Sequence, residues 1–260
     1  MSSDTNSIFC RRRRRMMVSV DVLILGGAMV AAAALLAGTS GFGFGLLATP
    51  ALLLSGFSLP FVVTVNLLIT LATRTSVAWR LRGAIDRRRV ALLVGGAVPG
   101  LWLGSRALGA IDARTLKLCV GIVIAVAAAA LFWADRKPPR PRIRGLTVVA
   151  GFLGGVLGTT TSLVGVPPAL LLARRRLATT SFFADLSAYF IATAAIGLAI
   201  LALEGRYSGS ATFTFLWWLP GVLVANVIGT SVGLRLPVTA FRRLALGLAF
   251  VAGIVTAVTA

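Results

Sequence analysis

Long apolar runs separated by short charged stretches make up almost the whole chain. Most runs are long enough to cross the roughly 30 Å hydrocarbon core of a bilayer as a helix, which needs about 20 residues. They lack the in/out alternation of barrel strands, so their backbone groups must be satisfied within helices. The pattern predicts an all-α polytopic membrane protein with about eight transmembrane helices. The runs cover residues 18–36, 61–79, 90–108, 116–134, 146–172, 182–203, 213–234 and 244–258.

Composition agrees with this interpretation and excludes a soluble domain. Of the 260 residues, 58% are hydrophobic and only 13% are charged, and the mean hydropathy is +0.94. Too little polar surface is left to cover a soluble domain of this size. The net charge of +19 comes mainly from arginines clustered between the apolar runs. We therefore expect the chain to contact the lipid bilayer and no nucleic acid.

The arginine clusters give a first indication of topology. Clusters at 11–15, 80–89 and 136–144 lie at every second junction, which the positive-inside rule assigns to the cytoplasmic face of a bacterial inner membrane. The N-terminus is therefore expected inside, but eight crossings would put the arginines at 174–176 and 235–243 outside. If the run 146–172 dipped into the bilayer and returned, both clusters would lie inside, with seven crossings and inverted halves. We expect eight crossings and keep the second arrangement as the alternative.

Sequence landmarks recur at an offset of about 120 residues. Pro-Ala-Leu-Leu-Leu at 50–54 returns at 168–172, and Pro-Gly at 99–100 returns at 220–221. Such self-similarity predicts two similar four-helix halves, a design common among secondary transporters, although leucine-rich helices can also resemble each other by chance. The predicted organisation is a basic cytoplasmic tail at 1–17, a first repeat at 18–134, a proline-rich cytoplasmic linker at 135–145 and a second repeat at 146–260.

A stretch poor in helix-forming residues precedes the Pro-Ala-Leu-Leu-Leu of each half, so the first helix of each half is expected to be broken. Unwound backbone at membrane depth is tolerated where it lines a wet cavity, although small residues can also serve only close helix packing. A half-helix beginning at Pro50 or Pro168 would point free N–H groups and its positive dipole end at the break, which suits an anion. The break residues expected to bind substrate are Gly41, Gly43, Gly45, Pro50, Thr159, Thr160, Thr161 and Ser162.

The helix after each break carries a polar stripe at four-residue spacing. In the first half the stripe is Asn66, Thr70 and Arg74, and Asp185 and Tyr189 hold the positions that match Asn66 and Thr70 in the second. Residues spaced in this way share one face of a helix. Ionisable groups inside apolar runs mark functional sites, so Arg74 is expected to bind the anion and Asp185 to carry a coupling proton. The alternative is that Arg74 and Asp185 pair with each other or reach the membrane surface.

Residues that catalysis would need are scarce. The chain has no histidine and only seven aspartates and glutamates, so a metal site lacks ligands and a serine nucleophile lacks its usual base. We expect no enzymatic activity and no cofactor. The breaks and Arg74 predict a secondary transporter of a small anionic substrate, which could form a homo-oligomer. The alternative is a non-transporting membrane partner or assembly subunit.

Several of these motifs resemble the TauE/SafE sulfite exporter family from about residue 35 onward. The Gly-x-Gly-x-Gly stretch at 41–45 followed by Pro50, the Val-Asn-Leu-Leu at 65–68 and Asp86 in the arginine-rich loop are similar to the family pattern. The chain departs from that pattern at 159–162, where threonines and a serine replace glycines. The resemblance implies export of sulfite, an organosulfonate or a related anion across the cytoplasmic membrane.

Overall fold

The computed structural model describes residues 20–110, 144–175 and 177–233, together with positions 118, 122, 126 and 235. Within these residues the regular structure is entirely helical, as expected from the apolar runs. The helices are α1 Val20–Ser40, α2 Phe44–Leu54, α3 Leu59–Arg80, α4 Arg87–Ala110, α5 Arg144–Thr161, α6 Val166–Arg174, α7 Thr179–Leu203 and α8 Gly209–Gly233, with a 3₁₀ turn at Arg82–Ala84.

Four of the described helices, α1, α3, α7 and α8, are long and apolar enough to cross a membrane, and α5 is a shorter apolar helix. The four long helices coincide with predicted runs to within a few residues. The runs predicted at 116–134 and 244–258, the basic tail at 1–17 and all but the last two residues of the linker at 135–145 lie outside the continuously described ranges. The predicted helical membrane fold is confirmed for the described part of the chain.

The first of the two breaks folds α1 and α2 into a helical hairpin. The chain leaves α1 through Gly41 and Gly43, whose φ angles of +76° and +90° are readily adopted only by glycine. The hydroxyl of Ser55, just after α2, lies 3.7 Å from the sulfur of Met29 in α1. The end of α2 therefore returns toward the first half of α1, and both ends of this hairpin point the same way.

The run predicted at 146–172 likewise forms a hairpin, made of α5 and α6, and not one continuous helix. Its turn includes Ser162, a non-glycine residue with a φ of +59°. Beyond α6, Nη2 of Arg175 donates to the hydroxyl of Thr147 near the start of α5 at 2.8 Å. Both ends of the run therefore lie at one end of the bundle, which agrees with the returning alternative and not with a single crossing.

The two hairpins enter the bundle from opposite ends. Helix α3 runs from the open end of the first hairpin to the loop at 81–86. The backbone N–H of Asp86 in that loop donates to Asp185 near the start of α7 at 2.7 Å, so the open end of the second hairpin lies beside it. The start of α1 and the arginine-rich loop at 80–89 are thus a full helix length apart. The expectation that the N-terminus shares the cytoplasmic side with that loop therefore does not hold for the described start of the chain at Val20. The basic tail at 1–17 itself lies outside the described residues.

Close helix contacts through glycine hold each hairpin against a helix of the other half. Gly96 of α4 lies on the backbone of α5 at Val148, and Gly229 of α8 lies on the backbone of α1 at Leu35. A Cβ at either position would collide with a carbonyl oxygen, so the helices approach as closely as backbones allow. Helices α3 and α7 pack together in the middle and carry the polar stripes.

Candidate substrate site

A cavity of about 30 Å³ lies where the tips of both hairpins meet α3 and α7. A space of this size holds about two water molecules. Its walls come from the first break, from α3, from the second break and from α7. The lining residues are Gly43, Phe44, Gly45, Asn66, Leu67, Thr70, Arg74, Ser162, Leu163, Val164, Gly165, Val166, Phe190, Thr193 and Ala194.

Arg74 brings a positive charge to this cavity. Its side chain is only 2% exposed, and its guanidinium lies 5.4 Å from the ring centre of Phe190. Nη2 donates to the carbonyl of Ala37 at 3.3 Å, whereas Nη1 is buried and has no hydrogen-bond partner among the described residues. Burying a cation with an unused donor costs free energy unless a ligand or a water molecule accepts the missing hydrogen bond.

Arg74 and the cavity lie level with the middle of α7. Phe190, which Arg74 contacts, is the twelfth of the 25 residues of α7. Arg74 is therefore about half a helix length from either end of α7. The expectation that it could reach the membrane surface does not apply to this position, because the guanidinium is buried between helices.

Asn66 contributes a second unused polar atom. The side chain is 2% exposed, and Nδ2 donates to the hydroxyl of Thr49 at 3.0 Å. Oδ1 is buried and has no partner among the residues that the structure describes. Asn66, Thr70 and Arg74 lie at successive turns on one face of α3, and all three line the cavity.

The hairpin tips contact each other at the cavity. Gly45 lies against the carbonyl oxygen of Ser162, where a Cβ would collide. Helix α2 begins at Phe44, six residues before Pro50, so the predicted start at Pro50 is wrong. Its first N–H groups have no partner within the helix and lie at the cavity wall, where they favour negative charge. Helix α6 begins at Val166, close to the predicted start.

Six of the residues predicted to bind substrate meet at the cavity. They come from both breaks and from the polar stripe of α3, whose four-residue spacing puts them on one helix face. These residues are Gly43, Gly45, Asn66, Thr70, Arg74 and Ser162.

Three other predicted residues, Gly41, Pro50 and Tyr189, are not among the residues that line the cavity. Gly41 packs against the ring of Phe183. Pro50 is buried within α2. Tyr189 is fully buried and its hydroxyl donates to the carbonyl of Gly151 at 3.5 Å, so it holds α7 against the second hairpin.

The threonines before the second break mainly serve the backbone. The hydroxyl of Thr159 donates to the carbonyl of Leu101 in α4 at 3.1 Å. The hydroxyl of Thr160 donates within its own helix to Val156 at 2.7 Å. The side chain of Thr161 lies outside the described residues. Of the three described side chains at 159–162, that of Ser162 lines the cavity.

Asp185 lies away from the cavity, in a buried ion cluster near the start of α7. It pairs with Arg89 of α4 and accepts the N–H of Asp86 at 2.7 Å. Arg89 also binds the carboxylate of Asp86 at 2.8 Å. The alternative pairing of Asp185 with Arg74 is therefore not found. The cluster ties the loop at 81–86 to α7.

Phe190 and Thr193 line the cavity but were not among the predicted residues. Thr193 had a signal in the sequence, because it holds the position in the second stripe that matches Arg74. Phe190 had none, since an aromatic residue in an apolar helix is usually core. Its role depends on the contact with Arg74, which only the fold reveals.

Comparison with known proteins now identifies the family. The sequence model of a family described as Sulfite exporter TauE/SafE matches residues 25–256. The chain belongs to this family. Membership makes it a multi-pass protein of a membrane transporter family, as the resemblance implied. No curated protein and no solved structure matches the chain.

Proposed function

We propose that this TauE/SafE protein is a secondary transporter that exports a small anion, such as sulfite or an organosulfonate, across the cytoplasmic membrane of a bacterium. The observation that carries the proposal is Nη1 of Arg74, which is buried without a hydrogen-bond partner among the described residues at a cavity between two broken helices. Family membership supports transport. The chemistry of the cavity supports an anion as the cargo.

Three features of the cavity favour negative charge. Arg74 offers a guanidinium that stays charged at any working pH and is suited to oxyanions. None of the described lining residues is acidic. The N-terminus of α2 adds N–H groups and the positive end of a helix dipole. An anion bound here would accept a hydrogen bond from the unused donor of Arg74. It would also offset the cost of burying the charge of that residue.

The size of the cavity favours a compact ion. About 30 Å³ is close to the space of two water molecules, so an ion with few heavy atoms fits with little movement of the hairpins. A longer organosulfonate would need the tips at Gly45 and Ser162 to separate. We therefore place sulfite ahead of larger sulfonates as the substrate.

We also propose that the two halves are inverted repeats. Helix α1 of the first half packs against α8 of the second, and α5 of the second packs against α4 of the first. Helix α3 of the first half contacts α8 of the second, and in the same way α7 of the second half contacts α4 of the first. This exchange of partners, together with the recurring Pro-Ala-Leu-Leu-Leu, is what inverted repeats around a central site would produce. The arginine-rich end at 80–89 and 174–176 would face the cytoplasm.

Flux of sulfite in proteoliposomes tests the transport proposal. Wild-type protein is expected to carry sulfite, and Arg74→Gln is expected to lower the rate at least about a hundredfold, because the only charge lining the described cavity is lost. Thiosulfate, a sulfonate and sulfate are compared in the same vesicles, with and without a proton gradient. Coupling of anion flux to protons stays a prediction, and the difference in flux with and without the proton gradient tests it.

Arg106→Gln is the matched control. Arg106 is exposed in α4, and its guanidinium lies 4.2 Å from the ring centre of Trp102. The substitution therefore removes one arginine charge, as Arg74→Gln does, but at a residue that does not line the cavity. Normal flux is expected for this variant. Absence of flux for every anion in folded wild-type protein would favour the non-transporting membrane partner.

A further inference from the structure

We propose that the cavity selects an anion that still carries a proton, so that sulfite is bound as hydrogen sulfite and not as the dianion. The inference rests on the proposed transport function and deepens it. It arises from a pair of buried atoms at the cavity, the donor Nη1 of Arg74 and the acceptor Oδ1 of Asn66, which both lack a partner among the described residues.

The charge of the cavity matches a single negative charge. Arg74 is the charged residue among those described around the cavity, and the other lining groups from both hairpins and from α7 do not titrate near neutral pH. The nearest described charge cluster on α7 and α4 is Asp185, Arg89 and Asp86, whose members bind one another. A monoanion would neutralise Arg74. A dianion would leave one negative charge unbalanced at membrane depth, which is costly.

Asn66 provides an acceptor that a fully ionised oxyanion cannot use. Its Nδ2 donates to the hydroxyl of Thr49 at 3.0 Å, and its Oδ1 is buried and has no partner in the described part of the chain. A carbonyl oxygen repels an anionic oxygen, so the ligand atom facing it has to carry a hydrogen. A site with a buried polar group that only the right ligand can pair discriminates strongly against analogues that lack the matching hydrogen.

The two groups lie on one face of α3. Asn66 and Arg74 are eight residues apart, so their Cα atoms are separated by about 12 Å along the helix axis, and both residues line the cavity. An ion between them would accept from Arg74 and donate to Asn66.

Calorimetry of sulfite binding to the detergent-solubilised full chain tests the proposal. At about pH 8.5 sulfite is mostly the dianion, so binding as hydrogen sulfite takes up close to one proton per ion, whereas at about pH 6 the uptake falls close to zero. Titrations in buffers of different ionisation enthalpy give the number of protons. Uptake near zero at both pH values, with no loss of affinity for total sulfite as the pH rises, would overturn the proposal.

Asn66→Leu removes the acceptor at nearly the same volume. We expect it to weaken the binding of hydrogen sulfite about tenfold, whereas part of the proton uptake at the higher pH persists because Arg74 still favours a monoanion. Asn226→Leu is the matched control, because Asn226 is also 2% exposed but lies in α8, away from the cavity; it should keep the wild-type affinity. Unchanged affinity for hydrogen sulfite in Asn66→Leu would overturn the proposal.

Two competing ions of similar shape give a second readout. Nitrate is a planar monoanion without a hydrogen, and hydrogen carbonate is its hydrogen-bearing counterpart. In the wild type, hydrogen carbonate is expected to displace sulfite at least about tenfold better than nitrate, and Asn66→Leu should narrow the difference to about twofold. Equal displacement by both ions in the wild type would contradict the proposed selection.

The outcomes separate this inference from the proposed function. If sulfite neither binds nor crosses the membrane at any pH, the transport proposal falls and this inference falls with it. If flux depends on Arg74 but binding takes up no proton, only the selection of the protonated ion is overturned.

Discussion

At the scale of single residues, Ser162 shows how a backbone requirement and a chemical one meet. Its φ of +59° is left-handed, a conformation that costs L-residues about 1–2 kcal/mol and glycine very little. Its Oγ is buried and has no partner among the described residues, and Ser162 lines the cavity. Serine at this position therefore gives up some stability for a hydroxyl at the proposed ion site.

Two substitutions of Ser162 separate these effects. Ser162→Gly and Ser162→Ala both remove the hydroxyl, so both should weaken sulfite binding by a similar factor, about threefold to tenfold. Only glycine relieves the left-handed strain, and Ser162→Gly should be more stable than Ser162→Ala by about 1 kcal/mol in thermal unfolding of the detergent-solubilised protein. Equal stability of the two variants would contradict the strain argument.

Much of the polar part of the site could be predicted at this scale. Asn66, Thr70 and Arg74 follow the four-residue period of a helix face, and a period is local information that a sequence carries. Contacts between residues far apart in the chain leave no such local pattern in the sequence. Asp185 resembled a site residue because a buried acid in an apolar helix needs a partner, but nothing near it in sequence indicated that the partner is Arg89.

At the scale of elements, the ion cluster of Asp185, Arg89 and Asp86 fixes the start of α7 to the loop after α3. Asp185 is fully buried, and Arg89 is 9% exposed. Removing one member of a buried ion pair leaves the other charge poorly compensated. The cluster therefore holds the loop after α3 against the start of α7 at the arginine-rich end of the bundle.

Asp185→Asn tests whether this acid is a clamp or a proton carrier. The amide keeps the shape but loses the charge opposite Arg89, so we expect the midpoint of thermal unfolding to fall, with a loss of about 1–3 kcal/mol because Asp86 still binds Arg89. Sulfite flux should persist and keep whatever dependence it has on a pH gradient. Loss of that dependence in a stable variant would assign the coupling proton to Asp185. Glu204→Gln, at the opposite end of α7, is the control.

The hairpins mark the limit of prediction at this scale. An apolar run has the same length and composition whether it crosses the bilayer or turns back, so residues 146–172 were compatible with both arrangements. The contact between Arg175 and Thr147 decides between them. The glycines and hydroxyl residues did locate the turns, because the left-handed angles at Gly41, Gly43 and Ser162 need residues that are poor in a helix interior.

At the scale of the whole molecule, two hairpins that enter from opposite ends set the topology. Helix α3 separates the loop at 55–58 from the loop at 81–86, so these two loops lie at opposite ends of the bundle. Both ends of the second hairpin lie at the same end as the loop at 81–86. Positive charge on that side, at 80–89 and 174–176, predicts that it is cytoplasmic.

Cysteine labelling in cells checks this topology. In a background without Cys10 and Cys119, a membrane-impermeant thiol reagent should label Ser58→Cys from outside. Arg82→Cys and Arg175→Cys should react only after permeabilisation, because both positions lie at the arginine-rich end. Labelling of Arg175→Cys in intact cells would instead support a full crossing by residues 146–172.

If the proposed anion binds at Arg74, level with the middle of α7, the membrane voltage acts on it there. Moving one elementary charge through the full potential is worth about 2.3 kcal/mol per 100 mV. An ion released from the middle toward the outside crosses about half of that drop, and a cell interior that is negative pushes a monoanion outward. A carrier of this shape could therefore expel its ion with the electrical gradient alone as the driving force.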